Sequence, residues 1–459
     1  MNLVKRLRNN VEPFNFKPFS VKQLKVLTWW QQVSPYSEYN AIIADGSIRS
    51  GKTVSLALSY VIWAMDSFSG ENFALCGKTI HACRRNVLQP LKKMLRSRGY
   101  QIHEIRNENL VYVAKSYRDP KTGKIVEVMN MFHIFGGRDE SSQDLVQGIT
   151  LAGVFFDEVA LMPESFVSQA TGRCSVDGSK YWFSCNPSSP FHWFKKGWID
   201  ESAEKKFLYL HFTMNDNPDM SDAIRKRYEN MYSGVFYKRY ILGLWVMADG
   251  VVFPMFDEDY HCIDYQRWWT RTFIAGDFGI QNPTTFGLFG FYQPEKHYHL
   301  IDRYYHDGRK QGNKTVQEYA NDLADFIKKS GERPEYIILD PSASAMIVEL
   351  QQHAFFVRNE IEVIAANNEV MMGIQFMSLL LNQRKLTYYP DAVHDKEEFS
   401  AYMWNSKSSD KGKDEVIKEH DHCTDSTRYG VFTDAIIHEL FDFEIDNFGN
   451  SNREYGNVA

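Results

Sequence analysis

An eight-residue glycine-containing loop, Gly46-Ser-Ile-Arg-Ser-Gly51-Lys52-Thr53, constrains this sequence more than any other feature. The apolar run Asn40 to Ala44 before it is typical of a short buried strand, and the residues from Thr53 to Met65 have helical periodicity. The loop matches GxxxxGK[ST] in full, and it lies between a strand and a helix, where such loops bind phosphate. We therefore predict that its backbone N–H groups and Lys52 hold the phosphates of ATP, and that Thr53 is a ligand of Mg²⁺.

Two later strand ends supply polar residues that suit the same site. The apolar run Gly153-Val-Phe-Phe is followed by Asp157 and Glu158. We expect Asp157 to bind Mg²⁺ through water and Glu158 to polarise the attacking water; the alternative is an ordinary strand end with two surface acids. Another run ends in Ser184-Cys-Asn186-Pro. The Asn186 amide is a candidate sensor of the γ-phosphate, and a simple Asn-Pro turn is the alternative.

Gln23 and three arginines complete the candidates for nucleotide contact. Gln23 could reach adenine through its amide, although a solvent-exposed glutamine is an equal alternative. Arg49, Arg138 and Arg173 are candidates to stabilise charge in the transition state, and an ordinary surface salt bridge is the alternative for each. The predicted nucleotide-binding residues are Gly46, Ser47, Ile48, Arg49, Ser50, Gly51, Lys52, Thr53, Asp157, Asn186 and Gln23.

The length of 459 residues indicates two domains. Alternating apolar strands and helices in the first half predict a mostly parallel α/β sheet. We predict an ATPase domain over 1–245, a linker over 246–262, a second α/β domain over 263–446 and a disordered tail over 447–459. The predicted elements include helices over Ala82 to Arg96, Ser221 to Tyr240 and Thr315 to Ser330, strands over Arg271 to Asp277, Thr285 to Phe291, His297 to Tyr304 and Tyr336 to Asp340, and a polar loop over Ser406 to Asp414.

Widely spaced acidic residues in the second domain predict another chemistry. Asp277 and Asp340 end apolar strands, and His422 and Asp425 are three apart, so both could face one site from a helical turn. Carboxylates at neighbouring strand ends can converge on Mg²⁺ or Mn²⁺, and two such ions can clamp a phosphodiester displacement. Asp302 is a further candidate. Surface acids and a structural histidine are the alternatives. The strand order and the acids resemble the RNase H-like nuclease fold.

Taken together, these residues resemble the large subunit of tailed-bacteriophage terminase, from about Phe19 to about Thr433. The branch with a compact nuclease and a histidine in the metal site, as in PBSX-like prophages, is the most similar. The resemblance rests on these motifs in this order: Gly46 to Thr53, the block from Gln147 to Glu158, Ser184-Cys-Asn-Pro, Asn217-Pro218, Tyr240 to Trp245, Gly276-Asp277-Phe-Gly, Leu339-Asp340, and His422-x-x-Asp425 followed by Arg428-Tyr429.

The resemblance implies a DNA-packaging motor. Its ATPase would drive double-stranded DNA through the portal protein into a procapsid, and its nuclease would cut concatemeric DNA. Family members act as a ring, commonly a pentamer, and a small terminase subunit selects the DNA. The expected location is the cytoplasm of the infected or lysogenic host, docked transiently on the procapsid and absent from the mature virion. Two departures are the late position of Arg49 in its loop, and Ser426-Thr427 where small or apolar residues usually precede Arg-Tyr.

The formal net charge of −6 excludes a uniformly basic nucleic-acid binder but allows local basic tracks. We expect no membrane span, because no run of 18 apolar residues occurs, and no structural zinc, because the six cysteines are scattered. Two rival interpretations remain: a helicase-like ATPase without nuclease activity, and a nonenzymatic capsid or portal scaffold component. The candidate DNA-binding segments, each with a solvated helix face as the alternative, are Arg84-Arg85, Lys92-Lys93 with Arg96 and Arg98, Lys195-Lys196, Arg225-Lys226-Arg227 and Lys411 to Lys418.

Overall fold

The computed structural model describes residues 14, 16–118, 123–279 and 282–440. These residues form two compact units. The first comprises the described residues up to 225 together with 238–246, and the second comprises 226–237 and the described residues from 247 onward. The predicted tail at 447–459 lies outside the described residues. Among the described residues, no helix combines the length and apolarity that crossing a membrane requires.

An eight-stranded sheet forms the centre of the first unit, in the order β3-β4-β5-β2-β6-β7-β1-β8. All neighbours from β5 to β8 are parallel, whereas β3, β4 and β5 form an antiparallel meander at one edge. Parallel strands place their carboxyl ends on the same edge, which gathers the polar residues that follow β1, β6 and β7. The strands are β1 (Ala41–Gly46), β2 (Asn72–Gly77), β3 (Gln101–Ile105), β4 (Leu110–Arg118), β5 (Ile125–Gly136), β6 (Gly153–Phe156), β7 (Lys180–Ser184) and β8 (Phe207–Phe212).

Helices cover both faces of this sheet, and each face has its own apolar core. One core packs against the helix after β1 and includes Leu56 and Trp182; the other includes Phe156 and Phe166. The predicted helix over Ala82 to Arg96 is interrupted by a π-helical turn, Arg84–Leu88. The helices are α1 (Val21–Thr28), α2 (Lys52–Ser67), α3 (Ile80–Cys83), α4 (Gln89–Ser97) and α5 (Glu164–Gly172).

Ser221 to Tyr240, predicted as one helix, forms several short pieces. Helix α6 (Asp222–Glu229) is followed by a break, and α7 (Gly234–Phe236) by a π-helical turn, Tyr237–Ile241. Ser233 precedes α7 with an extended backbone, and Gly234 has a φ of +55°. Both residues are poor helix formers, and the pattern of charged residues alone does not reveal this interruption.

The second unit has a six-stranded sheet in the order β13-β12-β9-β10-β11-β14. Strands β9, β10 and β11 are an antiparallel meander, and β12 joins the other side of β9 in parallel. The ends of β9 and β12 are therefore neighbours at one edge. The strands are β9 (Arg271–Asp277), β10 (Thr284–Tyr292), β11 (His297–His306), β12 (Tyr336–Leu339), β13 (Glu362–Ala365) and β14 (Leu386–Tyr388).

The last helix of the second unit packs directly on β9. Gly430 makes this approach possible, because a Cβ there would lie 2.5 Å from the Cβ of Ala275. The predicted polar loop after Ser406 begins with a short helix. The helices of this unit after α7 are α8 (Glu258–His261), α9 (Gly308–Gln311), α10 (Val316–Ser330), α11 (Ser344–Gln352), α12 (Ala354–Arg358), α13 (Val370–Asn382), α14 (Val393–Ala401), α15 (Ser406–Ser409) and α16 (His422–Ile437).

Candidate nucleotide and metal sites

The phosphate loop connects β1 to α2, and its conformation requires two of its glycines. Gly46 has a φ of +124°, and a Cβ there would lie 1.8 Å from the carbonyl oxygen of Phe212. Gly51 has a φ of +84°, and a Cβ there would lie 2.4 Å from Nε2 of Gln23. A side chain at either position would thus clash with its neighbour and strain the backbone. The first and sixth positions of the motif must therefore be glycine, because a side chain does not fit there.

Lys52 is buried at the centre of the loop. Its Nζ donates to the carbonyl oxygens of Gly46 (3.1 Å) and Ser47 (2.6 Å) and to Oδ1 of Asn186 (3.1 Å). Burial lowers the pKa of Lys52 to about 8, although the charges of nearby acids oppose this shift. Lys52 and Asn186 were predicted from two different motifs to belong to the nucleotide site, and in the structure their side chains are hydrogen-bonded.

The two strand ends carrying Asp157 and Ser184 are joined to the loop by hydrogen bonds. Oδ1 of Asp157 accepts from Oγ1 of Thr53 at 2.8 Å and from Oγ of Ser184 at 2.6 Å. Both predicted Mg²⁺ ligands, Thr53 and Asp157, are therefore in direct contact. Glu158 follows with a φ of +60°, and its N–H donates to Oγ of Ser184 at 3.2 Å. Positive φ is costly for a residue with a side chain and often marks a functional position.

Gln23 is buried, which excludes the solvent-exposed alternative. It belongs to a capping box at the start of α1, where its Oε1 accepts the N–H of Ser20 at 3.0 Å. Its Nε2 packs towards Gly51. The Gln23 amide was predicted to contact adenine. In the structure its oxygen caps α1 and its nitrogen lies beside the phosphate loop.

The loop is held from behind by residues that the motif does not contain. The N–H of Ile48 donates to the carbonyl oxygen of Tyr240 at 2.9 Å. Asp45, fully buried at the end of β1, accepts from Nε1 of Trp245 at 2.6 Å and contacts Nδ1 of His211 at 2.9 Å. The Tyr240 to Trp245 block is thus a support for the phosphate loop. Its place in the family pattern was the only sequence signal for that role.

Arg49 has a φ of +57°, and its carbonyl oxygen accepts from Nδ2 of Asn217 at 2.7 Å. This bond links the Asn217-Pro218 motif to the loop. Arg138 lies before a 3₁₀ turn, Glu140–Val146, and Arg173 directly follows α5. In the described part of the chain, no hydrogen bond or ion pair joins Arg138 or Arg173 to the loop, so the structure brings only Arg49 to it.

The second candidate site lies at the end of β9. Nδ1 of His422, the first residue of α16, is 2.7 Å from Oδ2 of Asp277. Oγ of Ser426, one turn later, donates to the carbonyl oxygen of Ala275 at 2.9 Å and fixes the helix on the strand. The predicted convergence of His422 and Asp277 is therefore present. Ser426, which departs from the family pattern, takes part in the packing that brings them together.

Asp425 and Asp340 are held by different neighbours. Oδ1 of Asp425 accepts from Nε of Arg428 at 3.1 Å and from the hydroxyl of Tyr402 at 3.2 Å. Oδ1 of Asp340, just after β12, accepts the N–H of Ser342 at 2.7 Å. Burial raises the pKa of Asp340, but hydrogen bonds from Ser342, Tyr429 and Asn368 outweigh it and leave the pKa lowered.

The carboxylates of this site repel one another, and His422 counteracts this repulsion at Asp277. Burial raises the pKa of Asp277, as do the negative charges of Asp425 and Asp340, against the opposing effect of His422. Burial lowers the pKa of His422, but the bond to Asp277 outweighs this and leaves it raised. Both shifts favour a proton shared within the Asp277–His422 pair. Such a cluster of oxygen ligands and one imidazole suits a hard divalent cation.

The arrangement is not a complete metal cage. Within the described ranges, no group of three or more His, Cys, Asp or Glu side chains is placed to hold a metal ion. Asp302 is exposed on β11, and its Oδ1 accepts the N–H of Arg303; its charge acts on Tyr389. The structure therefore does not bring Asp302 to Asp277.

Several basic segments proposed for DNA contact have acidic neighbours. Glu104 forms ion pairs with Lys92 and with Arg84 (3.0 Å). Lys195 is paired with Asp200. These ion pairs balance the charges of Arg84, Lys92 and Lys195 locally. DNA contact by the basic segments stays a prediction.

The comparisons with known proteins decide the family. Residues 43–259 match a family described as "Terminase large subunit, T4likevirus-type, N-terminal". The large terminase of a thermophilic bacteriophage is 47% identical, with a TM-score of 0.82, and the match covers 92% of this chain and 100% of that one. The chain belongs to the large terminase subunits of tailed bacteriophages. No curated protein matches this terminase.

Two further structures of the same thermophilic phage terminase extend the comparison. Its complex with ADP is 47% identical and its complex with ATP-γ-S is 46% identical; both have a TM-score of 0.79 and cover 92% of this chain and 100% of that chain. The predicted resemblance is therefore confirmed. So is the predicted fold class of this terminase: an N-terminal P-loop NTPase domain with a mostly parallel sheet and a C-terminal RNase H-like α/β domain.

Proposed function

We propose that this terminase hydrolyses ATP to move double-stranded DNA through the portal into a procapsid, and that its second domain cuts concatemeric DNA. The observation that carries the proposal is the hydrogen-bonded set Lys52, Asn186, Thr53 and Asp157 at one edge of the first sheet. A relative of 47% identity was solved with ADP, and it was also solved with ATP-γ-S at 46% identity. In this proposal the ATPase domain spans 1–245, the linker 246–262 and the nuclease 263–446.

The phosphate loop has features that fit a nucleotide. Oγ of Ser47 is buried without a hydrogen-bond partner, and buried hydroxyls are rarely left unpaired. Lys52 supplies positive charge to the β- and γ-phosphates, and Thr53 and Asp157 would hold Mg²⁺, which neutralises phosphate charge when bound. Glu158 orients and polarises the attacking water. Asn186, bonded to Lys52, reports the state of the γ-phosphate to β7.

The nuclease proposal rests on Asp277, Asp340, Asp425 and His422. The repulsion among the three carboxylates and the donor types of all four residues fit Mg²⁺ or Mn²⁺, and two such ions would activate water and stabilise the leaving oxygen. Asp277 and His422 start as a hydrogen-bonded pair, so metal binding would displace the proton that they share. Asp340 is held as the charged carboxylate by its hydrogen bonds.

We also propose the partners that the family implies. These are double-stranded DNA, the portal protein, a small terminase subunit and other copies of this chain in a ring, commonly a pentamer, on the procapsid in the host cytoplasm. DNA contact would be electrostatic and independent of sequence. The arginine that acts on a neighbouring site in the ring is not assigned among Arg49, Arg138 and Arg173.

Plasmid digestion with Mg²⁺ or Mn²⁺ tests the nuclease. Wild type should nick and linearise supercoiled plasmid. Asp277→Ala should cut at least about 100-fold more slowly, because the substitution removes a proposed metal ligand. Asp302→Ala is the matched control and should cut at the wild-type rate. Full manganese-dependent nicking by Asp277→Ala would refute the nuclease assignment and favour an ATPase without nuclease activity.

A further inference from the structure

Helix α16, which presents His422 and Asp425, begins without a cap of its own. Asp421 is its N-cap residue, but the Asp421 side chain makes no capping hydrogen bond. The first N–H groups of a helix have no partner within the helix, and a buried start must find one elsewhere. The first turn of α16 is largely buried, with Cys423 and Thr424 nearly inaccessible.

Glu398, on α14, supplies the missing acceptor. Its Oε2 accepts the N–H of Thr424, in the first turn of α16, at 2.9 Å. The residue is only 7% exposed. Burial raises the pKa of Glu398 to about 7, and the bond from Thr424 opposes this shift. A carboxyl group at a helix N-terminus also interacts favourably with the helix dipole.

Two residues close to Glu398 in the sequence also hold α16, one directly and one through an arginine. Asp395, three residues before Glu398 and therefore on the same face of α14, forms a buried ion pair with Arg303. Tyr402, four residues after Glu398, donates its hydroxyl to Oδ1 of Asp425. The segment from Asp395 to Tyr402 thus contacts α16 directly through Glu398 and Tyr402 and indirectly through Asp395.

Arg303 connects Asp395 to α16. Its Nη2 donates to Oγ1 of Thr427 at 2.9 Å, and its Nη1 donates to Oγ of Ser426 at 3.2 Å. Because Thr427 and Ser426 lie one turn below His422 and Cys423, the helix is fixed at two levels. Among these contacts, the bond from Thr424 to Glu398 is the one that acts on the backbone N–H groups of the first turn.

We propose that Glu398 is a positioning residue for the metal ligands: by capping the first turn of α16, it holds His422 and Asp425 in the orientation that binds metal. The inference rests on the proposed nuclease function. Glu398 touches neither the ion nor the DNA in this account. Residues that orient metal ligands typically change metal affinity by about 10- to 100-fold when they are replaced.

Two substitutions of similar volume separate the cap from the packing. Glu398→Gln keeps an oxygen that can accept the Thr424 N–H, whereas Glu398→Met fills the same space without an acceptor. Glu397→Met is the matched control, because Glu397 is exposed on the same helix and its ion pair with His394 is long, at 3.9 Å. Mn²⁺ binding to the full chain, without nucleotide, is measured by titration calorimetry beside Asp277→Ala, with circular dichroism and ATPase turnover as checks of folding.

The expected result is an Mn²⁺ affinity at least about 10-fold weaker in Glu398→Met, with near-wild-type values in Glu398→Gln and Glu397→Met and unchanged ATPase turnover in all three. Wild-type affinity in Glu398→Met would overturn the proposal. So would equal losses in the Met and Gln variants, which would make Glu398 a metal ligand, or loss of the fold in the Met variant, which would make it purely structural. If wild type and Asp277→Ala bind Mn²⁺ alike, the nuclease function itself fails.

Discussion

At the scale of single residues, Lys52 is the most informative side chain. Its ammonium group is buried and donates hydrogen bonds mainly to carbonyl oxygens of its own loop. Burial disfavours the ammonium form and lowers the pKa of Lys52 to about 8, so the side chain is close to half ionised near that pH. The phosphates of a nucleotide would strongly favour the charged form.

ATP binding should therefore be coupled to proton uptake by Lys52. The pKa of free Lys52 is about 8, and phosphate raises it, so complex formation above that pH binds a proton and the affinity for ATP falls as pH rises through about 8. Titration calorimetry in two buffers of different ionisation enthalpy measures this uptake. Lys52→Gln should bind weakly and show no uptake; an ATP affinity independent of pH from about 7 to about 9.5 would contradict this assignment.

The role of a site residue could be predicted from the sequence where the residue belongs to a spaced motif or directly follows an apolar strand. Lys52, Thr53 and Asp157 follow from motifs, and Asp277 follows from an apolar strand that ends in an acid. Glu398 gave no such signal, because its role depends on a contact with Thr424, which lies on a different helix. The same is true of Asp45, whose partners come from β8 and the Tyr240 to Trp245 block.

At the scale of elements, the Tyr240 to Trp245 block acts as a brace for β1 and the phosphate loop. Trp245 donates to buried Asp45, and Gly243 packs so closely that a Cβ there would lie 2.9 Å from the Ser47 nitrogen. Gly243 also has a φ of +71°. A movement of this block would therefore change the position of the loop.

Replacing the donor in this brace should weaken nucleotide binding. Trp245→Phe keeps an aromatic ring but leaves one oxygen of Asp45 without its partner, at a cost of about 1–3 kcal/mol. We expect the first unit to unfold at a lower urea concentration, measured by tryptophan fluorescence. We also expect a weaker affinity for ATP. Trp268→Phe is the control, since Trp268 is 93% exposed. Equal ATP affinities in the two variants would show that the brace has no effect on the loop.

A strand could be predicted from the sequence when it is buried on both faces and therefore consists of consecutive apolar residues. Strands β6 and β9 have the predicted bounds, because they lie in sheets whose buried faces require apolar side chains. The β3–β5 meander escaped prediction, since its residues alternate between exposed and covered faces and include many polar side chains. Strand β14 has only three residues, and its pairing with β11 depends on contacts distant in sequence.

At the scale of the whole molecule, the chain passes between its two units more often than a simple linker requires. Residues 226–237 cluster with the second unit, 238–246 with the first, and the chain returns to the second at 247. The brace that supports the phosphate loop lies in the middle segment. It is therefore joined covalently at both ends to residues of the other unit.

We propose that separate residues of one chain carry out ATP hydrolysis and DNA cleavage, and a reciprocal assay tests this most directly. ATP hydrolysis and plasmid cleavage are measured on the same preparations of wild type, Lys52→Ala and Asp277→Ala. We predict that Lys52→Ala loses ATP hydrolysis and keeps cleavage, because its substitution is confined to the nucleotide site, and that Asp277→Ala shows the reverse. Loss of both activities in either variant, or of neither in both, would contradict the account.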